Sequence, residues 1–143
     1  MREILFRGKR IDNGEWVDGS LLKVTINGKT AHLIFGDNFA FVGGDVKALS
    51  HALVDPSTVG QYTGLTANGK KVFEGDIIKA YVCDHELEDE YLSYTPIKVT
   101  FCGGYFYPFH LEGCWRSGVS DIEVIGNIHD NPELLEVSDN GNL

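Results

Sequence analysis

The stretch that decides the fold is VDPSTVGQYTGLTANGKKVFEGDII, which runs from Val54 to Ile78. It contains a turn with a proline, a short extended segment, the dipeptide Asn68-Gly69 and an apolar return. Asn-Gly between such segments predicts a two-residue β-hairpin, because both central residues must take a positive φ. The stretch ends in Glu74-Gly75-Asp76, where a glycine between two carboxylates predicts a sharp turn into the next strand. It therefore predicts consecutive short strands and shows no sign of a reaction.

The same pattern extends in both directions along the chain. Asn27-Gly28 predicts another hairpin, and Gly103-Gly104 predicts a tight turn before an aromatic strand. Asn131-Pro132 is typical of the start of a short helix, with Asn as N-cap and Pro at the first helical position. We therefore predict an all-β fold of many short antiparallel strands and hairpins, with an SH3-like barrel in the C-terminal half and at most one short C-terminal helix.

The chain length suits one domain. We predict a single β domain over residues 1–137, in which N-terminal hairpins of about residues 1–53 pack on the barrel of about residues 54–137. The last residues, 138–143, offer nothing to bury and are predicted to be disordered. The acidic run at residues 84–90 is predicted to form an exposed, mobile loop between two paired strands.

Charge and cysteine content limit the possible functions. The formal net charge of −9 disfavours general binding of nucleic acid, since phosphate would be repelled. A basic cluster near the N-terminus, formed by Arg2, Arg7, Lys9 and Arg10, is interpreted as a solvated face that balances acid elsewhere. Three cysteines, no signal peptide and no apolar run of about 20 residues indicate a reduced, cytoplasmic protein without a membrane span.

Several segments together resemble a known family. They are Met1 to Arg7, Trp16-Val17, Val59 to Leu65 with the turn Asn68-Gly69-Lys70, Phe73 to Ile78, and Ile122 to Leu135. In this order, and over nearly the whole chain, they closely resemble the YopX-type proteins of bacteriophages, prophages and plasmids. The resemblance implies an all-β fold with an SH3-like part, a phage accessory gene and the cytoplasm of a bacterial host. It implies no established activity, catalytic residue, cofactor or ligand.

Metal-binding and catalytic patterns are weak. Cys102, His110 and Cys114, with Cys83 and His85 upstream, contain zinc-ligand types, but no pair has the Cys-x₂-Cys spacing. We expect no metal and no other cofactor, and interpret the thiols as buried or partly buried. Glu74 and Asp76 form a candidate carboxylate pair for cation binding or acid–base chemistry. The favoured interpretation is that Asp76 caps its turn by accepting backbone amides. No catalytic residue is assigned.

The aromatic residues between 105 and 115 suggest a binding surface. Strand alternation places Tyr105 and Tyr107 on one face, and together with Trp115 they are the candidate surface. The leading hypothesis is a non-enzymatic phage accessory protein that binds a host or phage protein. The alternative is a nucleic-acid-binding SH3-like barrel, and a hydrolase-type enzyme is the third choice.

The first strand also predicts self-association. Residues Glu3 to Arg7 are expected at an unguarded sheet edge, with Ile4 and Phe6 on one face and Leu5 on the other. If both faces are buried, a second copy of the chain is the simplest cover. We therefore predict a homodimer or a higher closed oligomer.

Overall fold

A computed structural model describes residues 3–36, 51–84, 96–109 and 117–135; for 81–84 and 117–121 only the backbone is considered. The predicted acidic loop beyond Asp84 and the predicted tail at 138–143 lie outside these residues, as do His85, His110, Cys114 and Trp115. The described strands are β1 (Phe6–Lys9), β2 (Trp16–Ile26), β3 (Lys29–Phe35), β4 (Leu53–Val54), β5 (Gly60–Ala67), β6 (Lys70–Phe73), β7 (Asp76–Asp84), β8 (Ile97–Lys98), β9 (Thr100–Cys102), β10 (Tyr105–Tyr107) and β11 (Ser117–Asn127).

Helical structure is scarce in the described part of the chain. A 3₁₀ turn spans Pro56–Thr58, capped by the Asp55 carboxylate, which accepts a hydrogen bond from the Ser57 amide. Residues 133–135 are helical, at the place where the sequence predicts a short helix. The prediction of a mostly antiparallel β fold with little helix is confirmed.

The predicted hairpins are present. Asn27 and Gly28 have φ values of 51° and 76° at the β2–β3 turn, and Asn68 and Gly69 have φ values of 52° and 78° at the β5–β6 turn. These are the left-handed conformations that a type I′ turn requires. Gly103-Gly104 likewise joins β9 to β10 with two positive φ values. Local turn chemistry therefore fixes three of the strand connections.

The chain divides into two compact units, and the first is Met1–Gly64. Its sheet has the order β4-β3-β2-β1-β5. β2 pairs with β1 through Trp16 to Gly19 and with β3 through Ser20 to Ile26. Gly19 lies where β2 stops pairing with β1 and starts pairing with β3. A Cβ added to Gly19 would lie 2.0 Å from the Phe35 carbonyl oxygen, so the close approach of the β2 and β3 backbones requires glycine here.

The predicted edge position of the first strand is wrong. β1 is flanked by β2 on one side and by β5 on the other, with Phe6 opposite Gly19 and also opposite Gln61. The end of β1 is tied further to β4, because the Asp55 amide donates to the Lys9 carbonyl and Arg10 bridges to Val54. The strand is therefore covered by its own chain, and its edge gives no reason for self-association.

Buried side chains of the first unit pack directly against Gly8. An added Cβ there would lie 3.0 Å from the Val54 Cβ and 3.2 Å from the Ile34 Cδ1, and both of those side chains are fully buried. The buried Thr58 hydroxyl accepts from the Lys9 amide and donates to the Asp55 carbonyl. The 3₁₀ turn is thereby fastened to β1.

The second unit is Leu65–Leu143. It holds the hairpin end of β5 with β6, a three-stranded sheet of order β11-β7-β8 and the β9–β10 hairpin. Its core is one cluster of buried residues with partly buried neighbours: Ala67, Val72, Ile78, Ala80, Val99 and Phe109, with Leu65, Ile97, Phe106, Ile122 and Val124. The described strands of this unit do not join into one closed sheet, and the SH3-like barrel stays a prediction. The single domain over residues 1–137 stays a prediction.

Candidate functional site

The exposed side of the β9–β10 hairpin carries the predicted tyrosines. Tyr105 lies opposite Cys102 and Tyr107 opposite Thr100, so these four side chains share one face, which we call the tyrosine face. Tyr105 and Tyr107 are 43% and 44% exposed. Trp115, the third predicted member of the surface, lies outside the described residues. The structure thus brings together two of the three predicted residues.

The opposite side of the same hairpin is anchored. Phe106 packs against the core of the second unit. It lies opposite Phe101, which is 53% exposed, with the two ring centroids 5.1 Å apart and the planes inclined by 59°. The tilted arrangement is one that aromatic pairs favour. Pro108 follows Tyr107 directly, where β10 ends, and is buried. The core therefore holds the hairpin so that the tyrosine face points away from it.

The candidate carboxylate pair lies in the turn between β6 and β7. Asp76 is 1% exposed, and its Oδ2 accepts the Phe73 amide at 2.8 Å. Glu74 is half-buried. The Gly75 amide donates to the Val99 carbonyl, and the Val99 amide donates to the Asp76 carbonyl, both at 2.9 Å. Asp76 therefore has the capping contact that the sequence favours for it, in a turn held from both sides by backbone hydrogen bonds.

The segment from Gly126 onward contacts this turn. The Ile128 amide donates to the Gly75 carbonyl at 2.9 Å. Asn127 Oδ1 accepts the amides of His129 and Asp130, which closes a tight turn after β11. A Cβ on Gly126 would lie 2.6 Å from Asn131 Oδ1, so any larger residue there would displace the Asn131 side chain. Asp76, Asn127 and Asn131 thus have structural partners.

The described residues do not support the possible zinc site of Cys102, His110 and Cys114. Cys102 is exposed and free, on the tyrosine face, so the interpretation of the thiols as buried or partly buried is wrong for this residue. Within the four described ranges, no group of three or more His, Cys, Asp or Glu side chains is placed to hold a metal ion. His110 and Cys114 lie outside these ranges, so the predicted absence of a metal stays a prediction.

The basic residues near the N-terminus make local contacts. Arg7 Cζ lies 4.8 Å and Lys9 Nζ 5.5 Å from the centre of the Trp16 ring, so both cations are at cation–π distance from one indole. Trp16 lies opposite Lys9 in the β1–β2 register. Strand pairing therefore explains a contact for which the sequence alone gave no expectation.

Arg10 joins Asp12 and His51 in a polar cluster that sequence reasoning missed. The Arg10 guanidinium donates to both Asp12 oxygens, at 3.0 and 2.6 Å. His51 Nδ1 lies 2.8 Å from Arg10 Nη2 and 3.0 Å from Asp12 Oδ2. The hydrogen bonds from Arg10, followed by the contact with His51, hold the pKa of Asp12 below its ordinary value. The Asp12 carboxylate therefore balances the charge of Arg10, within the region that the sequence predicts to be a solvated basic face.

Comparison with known proteins identifies a family. A family model described as YopX protein matches residues 5–136, which is most of the chain. No curated protein and no solved structure matches significantly. Among the described residues, no helix is long and apolar enough to cross a bilayer.

Proposed function

The chain belongs to the YopX protein family, and on that premise we propose that it is a non-enzymatic phage or prophage accessory protein that binds another protein through the tyrosine face. We place this action in the cytoplasm of the bacterial host. The partner is a phage or host protein with an apolar surface that offers hydrogen-bond groups at its rim, since tyrosine presents a ring and a hydroxyl together.

The observation that carries this proposal is the exposure of two tyrosines on a hairpin whose other side packs on the core through Phe106. Tyr105 and Tyr107 are each more than two-fifths exposed, and their face-sharing neighbours Thr100 and Cys102 carry no formal charge. Aromatic side chains on a rigid, uncharged face are the residues that contribute most to protein–protein interfaces. A rigid support also lowers the entropy lost on binding.

Charge favours a protein over a nucleic acid as the partner. The net charge is −9, and three of the four residues of the basic cluster make local contacts with Trp16 or Asp12. A nucleic-acid-binding barrel needs cations beside its stacking aromatics. This supports the protein-binding function over the nucleic-acid alternative.

The absence of catalysis is part of the proposal. The leading carboxylate, Asp76, is buried and accepts a backbone amide, which supports a role in the turn. We also propose that the second unit completes an SH3-like barrel. An experimental structure in which the β9–β10 hairpin joins the β11-β7-β8 sheet would show that barrel.

The test compares recovery of partners by tagged full-length protein expressed in the bacterial host. The test variant carries Tyr105→Ser and Tyr107→Ser together, and the matched control carries Ile11→Ser, because Ile11 is also an exposed apolar side chain, at 64%. Circular dichroism confirms that each variant is folded. Recovered proteins are quantified by mass spectrometry, and recovered nucleic acid is measured in parallel, each with and without nuclease treatment.

We expect one protein to be recovered with the wild type and with the control, and at least about 30-fold less with the double variant. That factor corresponds to the loss of roughly 2 kcal/mol, which is typical of an interface hot spot. Equal recovery with the double variant contradicts the proposal. Nuclease-sensitive recovery of nucleic acid that depends on the two tyrosines would support the alternative function instead.

A further inference from the structure

We propose that two copies of this chain pair antiparallel along the open edge of β2, about a twofold axis at Val24. This interface is separate from the tyrosine face. It would join two first units edge to edge and extend the sheet across the dimer.

The open edge arises because β2 is longer than its first partner. β1 covers Trp16 to Gly19, whereas Ser20 to Ile26 pair with β3 on the opposite side. Within the described part of the chain, no strand pairs with the other edge of these seven residues. An extended edge of that length is a template for pairing with another strand.

The hairpin geometry shows which backbone groups face the open edge. In a two-residue hairpin, the residues that flank the turn form a hydrogen-bonded pair, here Ile26 with Lys29. Hydrogen-bonded and non-hydrogen-bonded pairs alternate along an antiparallel ladder. The amide and carbonyl groups of Leu21, Lys23 and Thr25 therefore point away from β3, toward the open edge.

The side chains beside this edge are apolar. Leu22, Val24 and Ile26 alternate on one face of β2. Leu22 is 48% and Ile26 66% exposed, while Val24 is half-buried. No acidic residue lies between Ser20 and Ile26, and Lys23 is the one charged residue there. Although the net charge of the chain is −9, two copies of this segment would bring no acidic side chains together.

The sequence of β2 complements itself in the register centred on Val24. If Val24 lies opposite Val24 of the second copy, Leu22 lies opposite Ile26 and Lys23 opposite Thr25. The outward amides and carbonyls of Lys23 and Thr25 then form the hydrogen-bonded pairs, and the apolar residues occupy the closer non-hydrogen-bonded pairs. A register one step away would place Lys23 opposite Lys23, and like charges directly opposite are destabilising. The occupant that fits the edge is therefore a second copy.

The first experiment measures the mass of the full-length protein by sedimentation and light scattering from 1 to about 500 µM, a range that spans typical weak association. We expect a concentration-dependent rise from 15.8 kDa toward twice that value. Added salt should favour the dimer, because it screens repulsion between two acidic chains. A monomer at every concentration and salt level would overturn the proposal.

The variant Lys23→Pro removes an amide that faces the open edge and leaves the β2–β3 ladder intact. Two symmetric hydrogen bonds are lost, so the dimer should weaken by about 30-fold or more. The matched control Lys23→Thr keeps the amide, and its dimer should be as strong as that of the wild type or stronger. A dimer that Lys23→Pro does not weaken would place the interface elsewhere and refute the proposal.

A cross-link tests the register without depending on the proline variant. Cysteines at non-hydrogen-bonded positions across a twofold axis lie within disulfide distance. We therefore expect Val24→Cys to give a covalent dimer on oxidation, linked through the two introduced thiols as shown by peptide mass spectrometry. Thr25→Cys is the control and should not link to itself. The opposite result, or linkage by neither variant in protein that dimerises, would contradict the register.

Discussion

Replacement of Asp76 by alanine distinguishes a structural carboxylate from a functional one. The Asp76 side chain is 1% exposed and accepts the Phe73 amide at 2.8 Å. Alanine removes the acceptor and leaves that amide in a buried turn. A buried donor without its partner costs about 1–3 kcal/mol, and a hydrogen bond to a charged group contributes about 1.5–3 kcal/mol.

We expect Asp76→Ala to lower the free energy of unfolding by about 2–3 kcal/mol. For a chain of this size, Tm should fall by roughly 4–10 °C. Urea unfolding followed by tryptophan fluorescence and circular dichroism measures the change. The matched control is Glu74→Ala, since Glu74 lies two residues away in the same turn and is half-buried; its effect should stay within about 0.5 kcal/mol.

The reasoning is refuted if Asp76→Ala is as stable as the wild type. A buried carboxylate that contributes nothing to stability would be kept for another purpose, and acid–base or cation-binding chemistry would again be the leading interpretation. A large loss of stability in Glu74→Ala would also contradict the account, because it would mean that Glu74 stabilises this turn as well.

Two further predictions concern the first unit. Gly19→Ala should cost more than about 3 kcal/mol, since its Cβ would meet the Phe35 carbonyl, whereas Gly14→Ala, with φ 73° and open space around it, should cost about 1–2 kcal/mol in the same urea assay. The pKa of Asp12 is lower in the folded protein than its ordinary value of 3.8. The ionised carboxylate therefore stabilises the fold at pH values above 3.8, and this contribution is lost as the pH falls through the lower native pKa. Asp12→Asn should therefore be less stable than the wild type at pH 7, with a difference that shrinks on acidification; a constant difference down to pH 2 would contradict the contact with Arg10.

Features that depend on adjacent residues were predictable from the sequence. Asn27-Gly28 and Asn68-Gly69 specify their turns because few residue pairs take two positive φ values. The capping contact of Asp76 spans three residues, so turn chemistry predicted it as well. Alternation was likewise enough to place Tyr105 and Tyr107 on one face.

Features that depend on distant pairing were not predictable. The first strand was expected at an edge, but β5, more than fifty residues along the chain, pairs with it. His51 reaches Arg10 across 41 residues, through the bridge that joins the end of β1 to Val54. The open edge of β2 depends on where β1 ends and β3 begins, which the local pattern of β2 does not specify. Periodicity identifies strands, whereas tertiary pairing decides which edges remain open.

Hydrogen–deuterium exchange on the protein with and without its recovered partner tests the proposed function most directly. We predict that the partner slows exchange of backbone amides within residues 100–107, which form β9, its turn and β10. Amides of β2 should be unaffected by the partner at a fixed state of self-association. Protection confined to the first unit, with unchanged exchange at residues 100–107, would contradict the claim that the tyrosine face is the binding surface.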